Sequence, residues 1–299
     1  MAEVTLASPE LGATPVCSHD IGARAPEHAL LALGTVLAGS YELRGLLGTG
    51  GMAQVFDAHD LNLDRPVAVK VARPTGATAL RAEGKALATV KHRSVVGVFH
   101  AGEYAGHAYL VIERIAGPTL RVRLDERRRR GEALPIAAVV AFAREMAEAL
   151  AIVHGVGLSH RDLKPENVML SQGDRIVLTD FGLTRSELVQ DDHHMRGTPN
   201  YMAPEVITGS LRPGAGHLVD LYALGVVAFE MIVGRTPFER GEWAKTLHAH
   251  VFELPPDPRG LRSGVPEVLA RLVLDLMAKE PNARPESAGL VAGALRETC

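Results

Sequence analysis

Cysteine is almost missing from this chain: 299 residues contain two, Cys17 and Cys299, near opposite ends. Such a pair builds neither a disulfide framework nor a metal-type ligand spacing, and a reducing compartment is its natural setting. Long apolar runs are also lacking. No stretch reaches the ~18 apolar residues of a membrane span. The longest candidate, "YALGVVAFEMIVG", is interrupted by Glu230 and reads as a buried core helix. Net charge is small, formally −3 at pH 7, which implies no global attraction to nucleic acid or to an anionic membrane. The N-terminus has no basic region leading into an apolar one, so no secretory leader is expected and the protein is expected in the cytoplasm. No repeat of fixed period is present. What is there, 46% apolar and 22% charged residues, suits a globular chain with one large domain or two smaller ones.

Three regions follow from the patterning. Residues 1–37 are rich in Ala, Gly, Pro and Ser and read as a flexible extension, within which "EHALLALGTVLA" has the makings of a short helix. Residues 38–116 are mostly strand-like ("YELRGLLG", "AQVFDAHD", "RPVAVKVA", "SVVGVFHAGE", "HAYLVIER"), with one helical stretch from about Thr78 to Val90. Residues 117–299 are mainly helical, as in "PIAAVVAFAREMAEALAIVHGVG" and "PEVLARLVLDLMAKE". "IAGPT" joins the two parts. In "RVRLDERRRRGE", Arg127 to Arg130 read as a solvated helix end.

Chemistry enters with "LGTGGMAQVF", which sets Gly48, Gly50 and Gly51 close together. A Walker-type loop would need GK[ST], which is absent. A dinucleotide fingerprint would run on into a helix, but "AQVFDAHD" has strand character. A strand–turn–strand flap, whose bare backbone can approach phosphates, and a plain glycine-rich hairpin both remain open on this string alone. Further on, "PVAVK" ends in Lys70 among valines, a costly place for an ammonium without a partner. Glu83 is the only carboxylate between Lys70 and Glu103, and it falls with Leu80, Leu87 and Val90 on the apolar face of the helical stretch. Each charge asks for the other.

"HRDLKPENVML" is more specific. Asp162 can accept a proton from an attacking hydroxyl, Lys164 can hold a transferring phosphoryl group, and Asn167 can offer an amide oxygen to a hard cation. "RIVLTDFG" then places Asp180 just beyond an apolar strand, where a second oxygen ligand for Mg²⁺ would come from. Loop decoration can produce one such string; both, in this order, after a glycine flap and a strand lysine, carry a mechanism.

Over about residues 39–299 the chain resembles a eukaryotic-like protein kinase, most of all the bacterial Ser/Thr kinases whose flap reads GxGGM. The motifs are "LGTGGMAQV", "VAVK", Glu83, "HRDLKPEN", "DFG", "GTPNYMAPE", "DLYALGVVAFEMIVGRTPF" and "NARP". The resemblance implies an α+β, two-lobed protein-kinase fold: a small β-rich N-lobe with one regulatory helix, and a larger, mainly helical C-lobe. It implies ATP and Mg²⁺ as cofactors, with Mn²⁺ an alternative, and protein Ser/Thr hydroxyls as acceptors, the chain's own included. Leu47, Gly48, Gly50 and Gly51 would cover the nucleotide, and Lys70, paired with Glu83, would contact its α- and β-phosphates. Val55 and Ala68 above and Met169 below would sandwich adenine. Ile112 would be the gatekeeper, and backbone groups of Glu113 and Ile115 would read the base. Asp162 would orient and deprotonate the acceptor, Lys164 would neutralise the γ-phosphoryl, and Asn167 and Asp180 would hold the metal. Asp220 and the pair Arg284–Glu205 would be structural.

There are departures. Ala53 replaces the third flap glycine, and only thirteen positions separate Lys70 from Glu83, short for the family, so the regulatory helix is expected to lack its first turn. The "GTPNYMAPE" shelf favours a protein acceptor over a small molecule, and Lys164 two residues after Asp162 favours Ser/Thr over Tyr. A nucleotide-binding pseudokinase or scaffold is the alternative, opposed by the intact Lys70, Glu83, Asp162, Asn167 and Asp180. Between Ser186 and Thr198 there is no hydroxyl side chain to phosphorylate, but Asp191 and Asp192 are present. Two readings stand open: one of these, Asp192 before Asp191, stands in for a phosphate opposite Arg161, or the stretch is an acidic solvated loop without that contact. His193 and His194, adjacent and without nearby ligands, read as solvated.

Overall fold

The computed structural model describes residues 29–181 and 199–298. Strands β1 (Val36–Leu37), β2 (Tyr41–Thr49), β3 (Ala53–Asp60), β4 (Arg65–Ala72), β5 (Val98–Tyr104) and β6 (His107–Glu113) form one six-stranded antiparallel sheet in the order β1-β2-β3-β4-β6-β5. Helix α1 (Ala77–Leu87) interrupts the strands between β4 and β5. The alternation legible in "AQVFDAHD" is realised residue by residue, with every second side chain of β3 buried.

Register decides what each face of the sheet can do. Phe56 pairs with Val69 and Val69 with Val111, which puts these three on one face. Val55 pairs with Lys70 and Lys70 with Leu110, while Ala68 pairs with Ile112, all on the other. That second face receives α1, whose Leu80 packs with Ala72, Ala108 and Leu110. Gly84 permits the approach, since a Cβ there would lie 2.7 Å from Leu110 Cδ1.

The first face is closed by the residues before β2. Leu31 and Leu37 are buried against Leu43, Phe56, Val67, Val69 and Val71. Residues 29–37 thus belong to the lobe rather than to an extension, and they form turns and a two-residue strand, not the short helix that "EHALLALGTVLA" suggests. The cause is the sheet itself. Thr35 accepts from Leu43 N, Gly34 donates to Leu43 O, and Gly34 at φ +83° supplies a turn that a helix would forbid. Residues 1–28 lie outside the described residues.

After the linker come α2 (Leu120–Arg129), α3 (Ile136–Gly155), the hairpin β7 (Val168–Leu170) and β8 (Ile176–Leu178), the short α4 (Pro204–Ile207), then α5 (Gly216–Val233), α6 (Trp243–Phe252), α7 (Glu267–Leu276) and α8 (Ala288–Arg296). Helix α5 is buried along nearly its whole length among α3, α7 and their neighbours. Among the described residues it alone is long and apolar enough to cross a membrane, and its burial makes it the core of this lobe. Arg128, Arg129 and Arg130 lie exposed at the end of α2.

Two devices join the lobes. Val96 N donates to Leu178 O and Leu178 N to Ser94 O, tying β8 to the segment that follows α1. Leu170 N donates to Pro118 O, and the linker approaches so closely that a Cβ on Gly117, at φ +145°, would lie 1.9 Å from Leu170 O. Only glycine satisfies both demands.

Candidate active site

Six of the charged or amide-bearing residues singled out from the sequence converge on the cleft between the lobes. Lys70 Nζ lies 2.9 and 2.8 Å from the two carboxylate oxygens of Glu83 and 2.8 Å from Asp180 Oδ1. The pairing survives the short connection because β4 runs through a single turn, Pro74–Gly76, straight into an eleven-residue α1. Glu83 is the seventh residue of that helix. Burial would push the Lys70 ammonium down, but Asp180 and Glu83 together hold it above its ordinary range. For Glu83 burial is the larger influence and raises its carboxyl against the pull of Lys70. Desolvation also opposes ionisation of Asp180, yet Lys70 overcomes it and keeps that carboxyl low.

On the other wall, Lys164 Nζ donates to Asp162 Oδ2 at 3.0 Å. Asn167 Nδ2 donates to the Asp162 carbonyl at 2.8 Å and to Oδ2 at 3.2 Å. The loop that carries them is braced from below. Asp220 on α5 accepts from the backbone N–H of His160 at 2.7 Å and of Arg161 at 2.6 Å, and meets His154 Nε2 at 2.8 Å. His160 is wholly buried, lies 4.4 Å from the Phe181 ring and bonds the Thr179 carbonyl. Burial lowers its pKa, so it is a neutral spacer. Arg161 and Asp180 both sit at positive φ, 62° and 56°, so both loops that carry the site hold a strained backbone position.

The glycine string is the strand–turn–strand form: Gly50 N donates to Ala53 O, and Leu47, Gly48, Gly50 and Gly51 are exposed at the tip of the β2–β3 hairpin. Val55, Ala68 and Ile112 line the sheet face that carries Lys70, as the register requires. Met169 lies on β7, bridged to Thr119, with its side chain opposite to the buried Val168 and Leu170. The linker backbone is partly engaged: Glu113 N donates to Gly97 O at 2.8 Å, and Arg114 Nη1 donates to Ile115 O at 2.9 Å while its Nε holds Asp57. Glu205 and Arg284 form a buried two-pronged pair at 2.7 and 2.8 Å. Gly182, Gly197, Thr198, Asp191, Asp192, His193 and His194 lie outside the described residues.

Asn167 commits its amide nitrogen to Asp162, which leaves its oxygen as the group to offer a cation. With the Asp180 carboxylate this makes two oxygen donors, too few for a closed protein cage but suited to Mg²⁺, which takes one or two side chains and completes its shell with phosphates and water.

Sequence reasoning missed a second charged assembly. Arg121, at the start of α2, contacts Glu230, Tyr201, Glu166 and Asp125 at once. In the sequence it is one arginine of an arginine-rich helix; the available signal was Glu230, a lone carboxylate in the most apolar run of the chain.

A strand-borne lysine clasped by a helix glutamate, facing an Asp-x-Lys-x-x-Asn loop and a second aspartate across a cleft, defines a two-lobed phosphotransfer core. The comparisons with known proteins agree. The model of the protein kinase domain matches residues 41–293, and the chain belongs to that family. It is similar to the DNA damage-responsive serine/threonine-protein kinase RqkA of Deinococcus radiodurans, at 37% identity over 88% of this chain and 40% of that protein. It is also similar to serine/threonine-protein kinase PksC of Streptomyces coelicolor, at 34% identity over 89% of this chain and 50% of that one. The chain therefore spans half or less of these two curated relatives. Its fold matches the crystal structure of the Mycobacterium tuberculosis PknI kinase domain, with a TM-score of 0.71 and 27% identity, covering 90% of this chain and 100% of that one.

Proposed function

We propose that this protein transfers the γ-phosphoryl group of ATP to Ser or Thr hydroxyls of proteins, itself included. The carrying observation is the unbroken set Lys70–Glu83–Asp180 and Asp162–Lys164–Asn167 in one cleft. The activities of its relatives support the same reading. A pseudokinase would gain nothing from keeping both halves.

The acceptor hydroxyl donates its proton to Asp162 as its oxygen bonds to the γ-phosphorus and the bond to the β–γ bridging oxygen breaks, releasing ADP. Lys164, already 3.0 Å from Asp162, neutralises the phosphoryl oxygens as charge builds up on them. Lys70 steadies the α- and β-phosphates, with Glu83 fixing its position. The flap at Leu47 to Gly51 covers the phosphates. Val55, Ala68, Ile112 and Met169 enclose the base, and backbone at Glu113 and Ile115 reads its edge. Asn167 and Asp180 would hold Mg²⁺, or Mn²⁺ in its place, which supplies charge neutralisation at the phosphates. We propose the cytoplasm, where ATP is supplied, as its compartment.

Asp162→Asn tests this directly. Loss of the proton acceptor is expected to lower transfer of radiolabelled phosphate to a generic protein acceptor by about 10²–10⁴-fold, with ATP still bound. Equal transfer by the two proteins would end the kinase reading.

A further inference from the structure

The first turn of α2 carries a cation whose partners come from three separate parts of the acceptor side of the cleft. Arg121 Nη1 and Nη2 each lie 2.9 Å from Glu230 on α5. Nη2 also donates to the Tyr201 hydroxyl at 2.6 Å, and that hydroxyl donates to Glu230 Oε2 at 2.6 Å. Nε reaches Glu166 at 3.2 Å and Nη1 reaches Asp125 at 3.3 Å. Tyr201 belongs to the "GTPNY" shelf, and Glu166 stands in the catalytic loop between Lys164 and Asn167. The assembly therefore spans the two surfaces between which an acceptor segment must lie.

Burial is graded across it. The Glu230 side chain is 2% exposed, Arg121 20% and Glu166 42%. A carboxylate as deep as Glu230 requires a cation. Among the described residues the other cation near it, Arg128, is 3.9 Å away and half exposed. Arg121 is thus the principal counter-charge, and its side chain keeps a fifth of its surface exposed. Removing that side chain would leave a recess with Glu230 and Tyr201 at its base and the more exposed Glu166 at its rim, a fork of acceptors shaped for a guanidinium.

We propose that Arg121 is a specificity-determining residue: it fills from within an acidic recess beside the acceptor groove, so that acceptors need not supply a basic residue there. This rests on the protein Ser/Thr reading given above. In that reading the recess is matched before any acceptor arrives, and an acceptor cation at that place meets a like charge. Specificity here is removed by self-complementation, and one substitution should restore it.

The test uses serine-centred peptide pools in which one position at a time is fixed as arginine or alanine, assayed with the full chain and with Arg121→Ala. The unaltered chain is expected to treat the two kinds of pool within about twofold at every position. Arg121→Ala should prefer arginine on the order of tenfold at one position, as a charge-assisted pair allows. The double variant Arg121→Ala/Glu230→Gln should lose that preference. Should Arg121→Ala not fold, Arg121→Gln keeps a donor for Glu230 and Tyr201 while removing the charge, and the same gain is expected of it. A flat profile in a folded Arg121 variant overturns the proposal, as does an arginine preference in the unaltered chain at the same position. Persistence of the gained preference without Glu230 overturns it equally. Transfer to no pool by the unaltered chain overturns the underlying phosphotransfer reading, and this proposal with it.

Discussion

Lys70 directs its donor hydrogens to Glu83 and Asp180, and among the described residues no other ammonium in the cleft is held by two carboxylates. Lys70→Met would leave both acids facing each other without a cation. We expect ATP affinity to fall at least tenfold, about 1.4 kcal/mol, measured by displacement of a fluorescent nucleotide, with a smaller loss for Glu83→Gln, which keeps the ammonium. Arg161 bears a buried Nη1 with no hydrogen-bond partner among the described residues. If a carboxylate from 191–192 serves it in place of phosphate, Asp191→Asn/Asp192→Asn lowers the turnover number severalfold; unchanged turnover removes that role. His250 titrates in the other direction. Burial first, and then Lys279, lower its pKa from 6.5 to about 3, while its Nδ1 meets the Tyr222 hydroxyl at 2.8 Å. The unfolded chain binds the proton more readily than the folded one between these two values. His250 therefore leaves stability intact above pH 6.5 and draws it down as pH falls toward 3, on the order of 2–3 kcal/mol by pH 4. Denaturant midpoints across that range should fall less steeply in His250→Gln.

Elements show why some of this was legible in the sequence. The period-2 pattern of "AQVFDAHD" and the valines of "PVAVKVA" determined strand, face and register together, because one residue of slip would have turned Lys70 into the core. Glu83 was legible because a carboxylate on an apolar helix face demands a partner. Residues 29–37 were not. Their apolar run, ALLALGTVL, suits a helix as well as a strand, and nothing in it shows that Leu31 and Leu37 would find a sheet face left uncovered by α1, a demand created only by the assembled lobe. Arg121 was hidden for the same reason, since Glu166 and Glu230 lie 45 and 109 positions away in sequence. Gly117 is the element-scale test. Gly117→Ala combines an unfavourable φ with a clash against the Leu170 carbonyl. It should cost at least about 2 kcal/mol in urea unfolding, or force the linker to move and weaken ATP binding.

The whole molecule is organised around α5, which touches the catalytic loop through Asp220, the shelf through Glu230 and Tyr201, and the end of the chain through Leu218 and Arg284. Arg284 also grips Glu205 with both side chains buried. Glu205→Ala would strand a guanidinium in the core, and we expect about 3–5 kcal/mol of lost stability by chemical unfolding. A melting temperature within a degree or two of the parent would contradict the importance given to this joint. At the other end of the molecule, the turn between β4 and α1 has a mechanical meaning. A Cβ on Gly76 would come 2.5 Å from the Met52 carbonyl, and Arg73 N bonds that same carbonyl. With no slack between Lys70 and Glu83, helix and flap share one pivot. The small lobe is thus built as a latch with a single pin, and a push on the flap tip is expected to reach Glu83 through the three-residue turn Pro74–Gly76.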